Sequence, residues 1–163
     1  MSDYYVKHLV TPLPLKKASD IVDHALRLGS ENSLLPLTVA VLDAGGNLQA
    51  FKREDGSGIM RGDVAIGKAW GALGMGLSSR TIRDRLANRP SFQAALASAS
   101  QGRFIPVPGG VLICDDDGAV IGAVGISGDA SDKDEYAAIE AVKAVSLTPY
   151  PAEPSDDWQD AGL

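Results

Sequence analysis

The chain has 163 residues, 45% of them hydrophobic, a formal net charge of −6, two histidines and one cysteine. One domain of this length buries a sizeable core without staples, and Cys114 alone builds neither a disulfide nor a thiolate zinc site, so no structural metal is expected. The acidic balance argues against a phosphate-tracking nucleic-acid surface, and no run approaches the ~18 apolar residues that cross a bilayer. The start, Met1-Ser-Asp-Tyr-Tyr-Val-Lys-His8, lacks the basic and apolar regions of a secretory signal, so the expected location is cytoplasmic.

In chain order, Leu15, Ala18, Val22, Ala25 and Leu26 recur at helical spacing, and the pattern predicts an amphipathic helix over 14–29 with Gly29 as its stop. Two apolar runs, 37–42 and 48–52, flank the turn Asp43-Ala-Gly-Gly-Asn47 and read as a hairpin. The stretch 59–77 carries two stripes at helical spacing. Its large residues are Ile59, Ile66, Trp70, Leu73 and Leu77; its small ones are Gly62, Ala65, Ala69, Ala72 and Gly76. The large stripe is expected against the sheet. The small stripe is expected against another backbone, either a helix of the same chain or the same helix of another subunit. Shorter helices over 79–87 and 91–100 each open on a serine suited to capping. Arg80, Arg83, Arg85 and Arg89 read as a solvated face.

A second apolar–Asp/Gly–apolar unit, Gly110 to Ile126, repeats the grammar of the first hairpin, and two hairpins of one kind imply one shared sheet. A last helix follows to about Val145, with Ser131 and Asp134 in a capping-box-like start. Residues 1–147 thus read as a single domain and 148–163, rich in proline and acid, as an arm. Tyr150 and Trp158 either lay that arm on a neighbouring subunit or leave it a loose terminus.

Three features bear on chemistry. Glu135 falls on the apolar stripe of the last helix with Ala138, Ile139, Val142 and Val145; it either complements the helix dipole or enters a pocket as a general acid/base. Lys68 lies at the border of the small stripe, aligned with Arg61, as a solvated pair or as a receiver of an anion. Pro106-Val-Pro108-Gly109-Gly110 exposes backbone amides that, with Ser127-Gly128 and the start of the last helix, suit a carboxylate. No phosphate loop follows from Gly67-Lys68, and no Gly-x-Ser-x-Gly elbow occurs.

Five motifs in order, Val39-Ala-Val-Leu-Asp-Ala-Gly-Gly46, Ala65-Ile-Gly-Lys-Ala69, Ile105-Pro-Val-Pro-Gly-Gly-Val-Leu-Ile113, Val120-Ile-Gly-Ala-Val-Gly-Ile-Ser-Gly128 and Asp134-Glu135, resemble the signatures of the GlcG/HbpS-like family, also called haem-degrading or haem-binding. The resemblance spans about 14–146. It implies an α/β fold of the α+β type: a three-layer α-β-α architecture around a profilin-like, antiparallel five-stranded sheet. It also implies a homo-oligomer such as a hexamer or octamer. Some relatives bind haem, a related domain accompanies a corrinoid adenosyltransferase, and others lie in catabolic operons. This chain departs from the family in Tyr136-Ala-Ala-Ile-Glu140, where small residues ending in Ala-Gly are usual.

The expectation is therefore a protein that binds haem or another anionic organic ligand. Arg103 and Lys68 would hold its carboxylates, Pro108, Gly109, Gly110, Ser127 and Asp134 would line the pocket, and Glu135 would move a proton if chemistry occurs. The alternative is a metal-free enzyme, a tautomerase, hydratase or hydrolase of a small organic acid, with Glu135 and Lys68 as its catalytic residues. For haem iron, His8 lies in the N-terminal arm and His24 beside a core stripe; Met60, Met75 and Cys114 have no evident axial partner.

Overall fold

The structure is a computed structural model that describes residues 7–163. Most of the N-terminal segment inspected for a secretory signal therefore lies outside the described residues. Five helices, α1 (Leu15–Glu31), α2 (Arg61–Met75), α3 (Ser79–Leu86), α4 (Pro90–Ala99) and α5 (Ser131–Ala144), surround five strands, β1 (Thr38–Asp43), β2 (Leu48–Arg53), β3 (Gly110–Cys114), β4 (Val120–Ser127) and β5 (Thr148–Tyr150). The strands form one sheet in the order β2-β1-β4-β3-β5, and every pairing is antiparallel. The two predicted hairpins are both present, and β4 of the second pairs with β1 of the first, Thr38 opposite Ser127.

Side chains alternate across the strands, so β1, β3 and β4 each feed two cores. Val39, Val41, Val111, Ile113, Val124 and Ile126 point to α1 and α5, where Ile21, Val22, Ile139 and Val142 meet them. Leu42, Leu112 and Ala123 point the other way and pack on Ala69 and Ala72 of α2. The result is the three-layer α-β-α arrangement.

The two stripes of α2 exchange their expected roles. Of the small stripe, Ala65, Ala69 and Ala72 are buried, joined by Gly67 and Gly71, with Gly62 half-buried and Gly76 exposed; of the large stripe, Ile59 is exposed and Ile66, Trp70, Leu73 and Leu77 are only partly covered. The reason lies in the sheet. Gly110 and Gly125 sit opposite one another on neighbouring strands; a Cβ on Gly110 would overlap the Lys68 carbonyl, and one on Gly125 would overlap the carbonyl of Ala65. The backbone that the small stripe approaches is the sheet itself.

Smaller differences have similar causes. Gly29 lies inside α1, buried against Leu37, and the helix closes instead at Asn32, before Ser33 at φ 55°. Ser78 rather than Ser79 caps α3, its Oγ accepting from the Thr81 amide at 3.2 Å, and α4 begins on Pro90 with no side-chain cap. Residues 148–150, assigned to the arm, form the fifth strand, Leu112 pairing with Tyr150. Among the described residues, no helix is long and apolar enough to cross a membrane.

Candidate functional site

The end of the sheet where β4 stops and β3 begins lies under α2 and beside the start of α5. There Lys68 points inward, only 2% exposed, and donates to the Ile126 carbonyl at 2.8 Å and to Asp134 Oδ2 at 3.0 Å. Asp134, 1% exposed, accepts from the Asp129 amide through its other oxygen at 3.0 Å. Its carboxylate thus ties α2 to the turn before α5, while Ala130 occupies the cap position without a side-chain bond. Burial holds the Lys68 ammonium below its ordinary range and the Asp134 carboxyl above its own; their mutual attraction opposes both displacements. Gly109 fits against this pair at φ 116°, where a Cβ would come within 2.9 Å of Lys68 Nζ. The Gly110 amide donates to Ser79 Oγ at 2.7 Å, so it is already committed within the chain.

One residue further along α5, Glu135 is 0% exposed, and among the described residues neither carboxylate oxygen has a hydrogen-bond partner. Arg80 of α3 brings its Nε to 3.2 Å from Oε2, but the N–H is not aimed along the contact, which leaves attraction between charges without a hydrogen bond. Desolvation pushes the Glu135 carboxyl up to about 7; Arg80 works against it, Asp132 adds to it, and Arg83 and Lys68 oppose it. A carboxyl with that environment is half-protonated near neutrality and has unused bonding capacity.

The expected pocket is only partly assembled. Lys68, Asp134, Pro108, Gly109, Gly110, Ser127 and Glu135 are all buried on one end of the molecule, with Ser127 Oγ accepting from Arg61 at 3.2 Å. This correction removes the solvated Lys68–Arg61 pair. It also leaves Lys68 with an acid of its own chain instead of a free charge for a ligand. Arg103 is not brought to this group. It is exposed, donates through Nε to the Ser100 carbonyl at 3.0 Å, and stacks 4.3 Å above the Trp70 ring. Trp70 is two positions from Lys68, and residues so spaced leave a helix in nearly opposite directions. Arg80, which the sequence grouped with a solvated face, is the functional-looking residue that sequence reasoning missed; nothing in its spacing marks the contact with α5.

On that outer side of α2 a cleft of about 200 Å³ opens between α2, α4 and the chain before β3, lined by Trp70, Gly71, Met75, Leu96, Ala99 and Phe104. Its walls are chiefly apolar, with Ser100 among them, and the Arg103 guanidinium stacks on the ring of Trp70, one of the lining residues. The sequence offered Met75 and Arg103 separately, but Phe104 and the small faces of Gly71 and Ala99 became visible only when α4 was folded against α2.

A solved complex of PduOC with haem superposes with a TM-score of 0.75 at 25% identity, covering 85% of this chain and 97% of that one. A double mutant of Streptomyces reticuli HbpS, with two glutamates changed to aspartate, superposes with a TM-score of 0.70 at 25% identity, covering 89% and 93%. In sequence, a Citrobacter freundii protein called an uncharacterized 15.0 kDa protein of the dhaT-dhaS intergenic region is 30% identical over 112 residues, 69% of this chain and 78% of its own length. The profile of the family described as haem degrading protein HbpS-like matches residues 13–143. The chain belongs to the HbpS-like haem-degrading protein family.

Proposed function

We propose that this protein binds a haem-type ligand: a flat, largely apolar ring carrying carboxylates, received at the cleft between α2 and α4. The observation that carries this reading is the pairing of apolar walls, Trp70, Phe104 and Leu96, with a guanidinium stacked on one of them. Such walls favour a flat ring by burial, and an arginine fork suits a propionate in two-point contact. Met75 adds a thioether, one of the soft ligands that haem iron accepts. The haem complex of a relative with the same fold supports the same class. When bound, haem supplies the ligand and redox chemistry of its iron; the residues of this chain orient it and limit water around it.

The cleft is smaller than the roughly 300–1,000 Å³ of ordinary ligand sites, so a porphyrin enters it by one edge. A second copy of the chain covers the rest, in keeping with the homo-oligomer that the family resemblance implies. The exposed Phe51 and Leu48 on the edge strand β2, with Ile59 and Met60 before α2, are apolar surface that assembly would bury.

Haemin titration followed through the Soret band, with albumin as the nonspecific control, tests the reading. The expected result is saturable, stoichiometric binding that Met75→Leu and Arg103→Ala each weaken about tenfold, the equivalent of about 1.4 kcal/mol. Saturation untouched by both substitutions would remove the cleft, and no saturation at all would remove the ligand class.

A further inference from the structure

The segment after β5 lies beyond the family match, which ends at residue 143, yet it is fastened to Arg80, the residue that faces the buried Glu135, and to α5. The backbone carbonyl of Glu153 accepts from Arg80 at 2.9 Å, and its carboxylate pairs with Lys143 of α5 at 2.8 Å. Five residues on, the Trp158 indole stacks on Tyr136 of α5, ring centroids 3.7 Å apart and planes within 5°. Of these partners, Arg80 touches the Glu135 carboxylate, and Tyr136 is the next residue of α5. The segment therefore holds Arg80 and the outer side of α5 beside a buried carboxylate whose two oxygens have no hydrogen-bond partner among the described residues.

We propose that residues 151–160 are a closable cover over an acid site formed by Glu135 and Arg80, attached at Glu153 and Trp158 and opened by release of those two anchors. Its attachments are of the kind that come apart. Lys143–Glu153 is an exposed ion pair, and Trp158 remains half-exposed on its stack, so neither compares with the packing of the sheet. Closed, the cover keeps Glu135 dry and orphaned. Open, it admits water or a small polar molecule whose donors satisfy Glu135 and whose acidic group takes the Arg80 N–H that Glu153 now holds. The inference does not depend on haem binding, since the Trp70 cleft lies on the outer side of α2.

The test uses the full-length chain. Glu135→Cys is placed in a Cys114→Ser background, and the alkylation of the introduced thiol by iodoacetamide is timed by mass spectrometry under native conditions. Trp158→Ala with Lys143→Gln loosens both anchors, and circular dichroism verifies that each variant is folded. Alkylation at least tenfold faster in the loosened protein is the expected result; equal rates, or fast labelling with the anchors intact, would overturn the cover. A second measurement retains the native acid: with the anchors loosened, the carbon-13 NMR titration midpoint of Glu135 moves down by at least one pH unit. An unmoved midpoint would overturn the proposal independently of the cysteine variants.

Discussion

Glu135→Gln is expected to abolish the pH dependence of stability that the buried carboxyl imposes. In the unfolded chain Glu135 titrates at its ordinary value of 4.5; in the folded protein burial raises it to about 7. Below 4.5 both states hold the proton and the group costs nothing. As pH climbs through this window the unfolded chain gives up its proton first, so stability falls, and the loss is complete above about 7. At about 1.4 kcal/mol per pKa unit the full loss is about 3 kcal/mol, a large share of the ~5–15 kcal/mol that holds a typical domain together. Glutamine reproduces the shape of the protonated acid without the charge. Urea denaturation at pH 4.5, 6, 7 and 8, read by circular dichroism, should therefore show the two proteins close together at the acid end and the variant more stable by about 3 kcal/mol at pH 8. Other groups titrate in both proteins and cancel in the difference. A difference that stays constant from pH 4.5 to 8 would refute the reasoning, because it would mean that Glu135 keeps an ordinary affinity for its proton in the fold.

Lys68→Met removes one partner of a buried ion pair and leaves Asp134 charged in the interior, so it should cost about 3–5 kcal/mol, seen as a fall in the urea midpoint with unchanged slope. Gly125→Ala drives a methyl into the Ala65 carbonyl of α2; calorimetry should register the upper end of the ~1–3 kcal/mol typical of overpacking, or more, because the obstacle is backbone. Ser79→Ala strips the Gly110 amide of its partner and should cost about 1–3 kcal/mol, with faster hydrogen exchange at that amide.

The hairpins and helices were legible because they rest on local chemistry, whereas the three-layer arrangement came from the family resemblance. The Asp/Gly turns announced both hairpins, and the period of α1 announced a helix with one buried face. What the sequence could not convey was the third dimension of α2. Its large residues look like a core stripe in isolation, and only the pairing of Gly110 beside Gly125, 15 positions apart in sequence, reveals that the helix backbone descends onto bare sheet and that the small residues go inside. The same blind spot governed the site. Glu135 was identifiable from its place on an apolar stripe, but Arg80 reaches it from 55 positions away through a helix whose own pattern is that of a solvated face. Lys68 and Arg103 both carried the right charge for an anion, yet their surroundings separate them: one is consumed by Asp134 and the other rests on Trp70.

The central claim, a haem-type ligand in the Trp70 cleft, is tested most directly by fluorescence. The chain has two tryptophans, Trp70 in the cleft and Trp158 stacked on Tyr136 of α5, so a Trp158→Phe protein reports on the cleft alone. On this account, haemin quenches that emission saturably, with the same midpoint as the Soret change. Soret saturation with Trp70 emission largely retained would put the ligand elsewhere on the molecule, and the absence of both signals would contradict the functional reading itself.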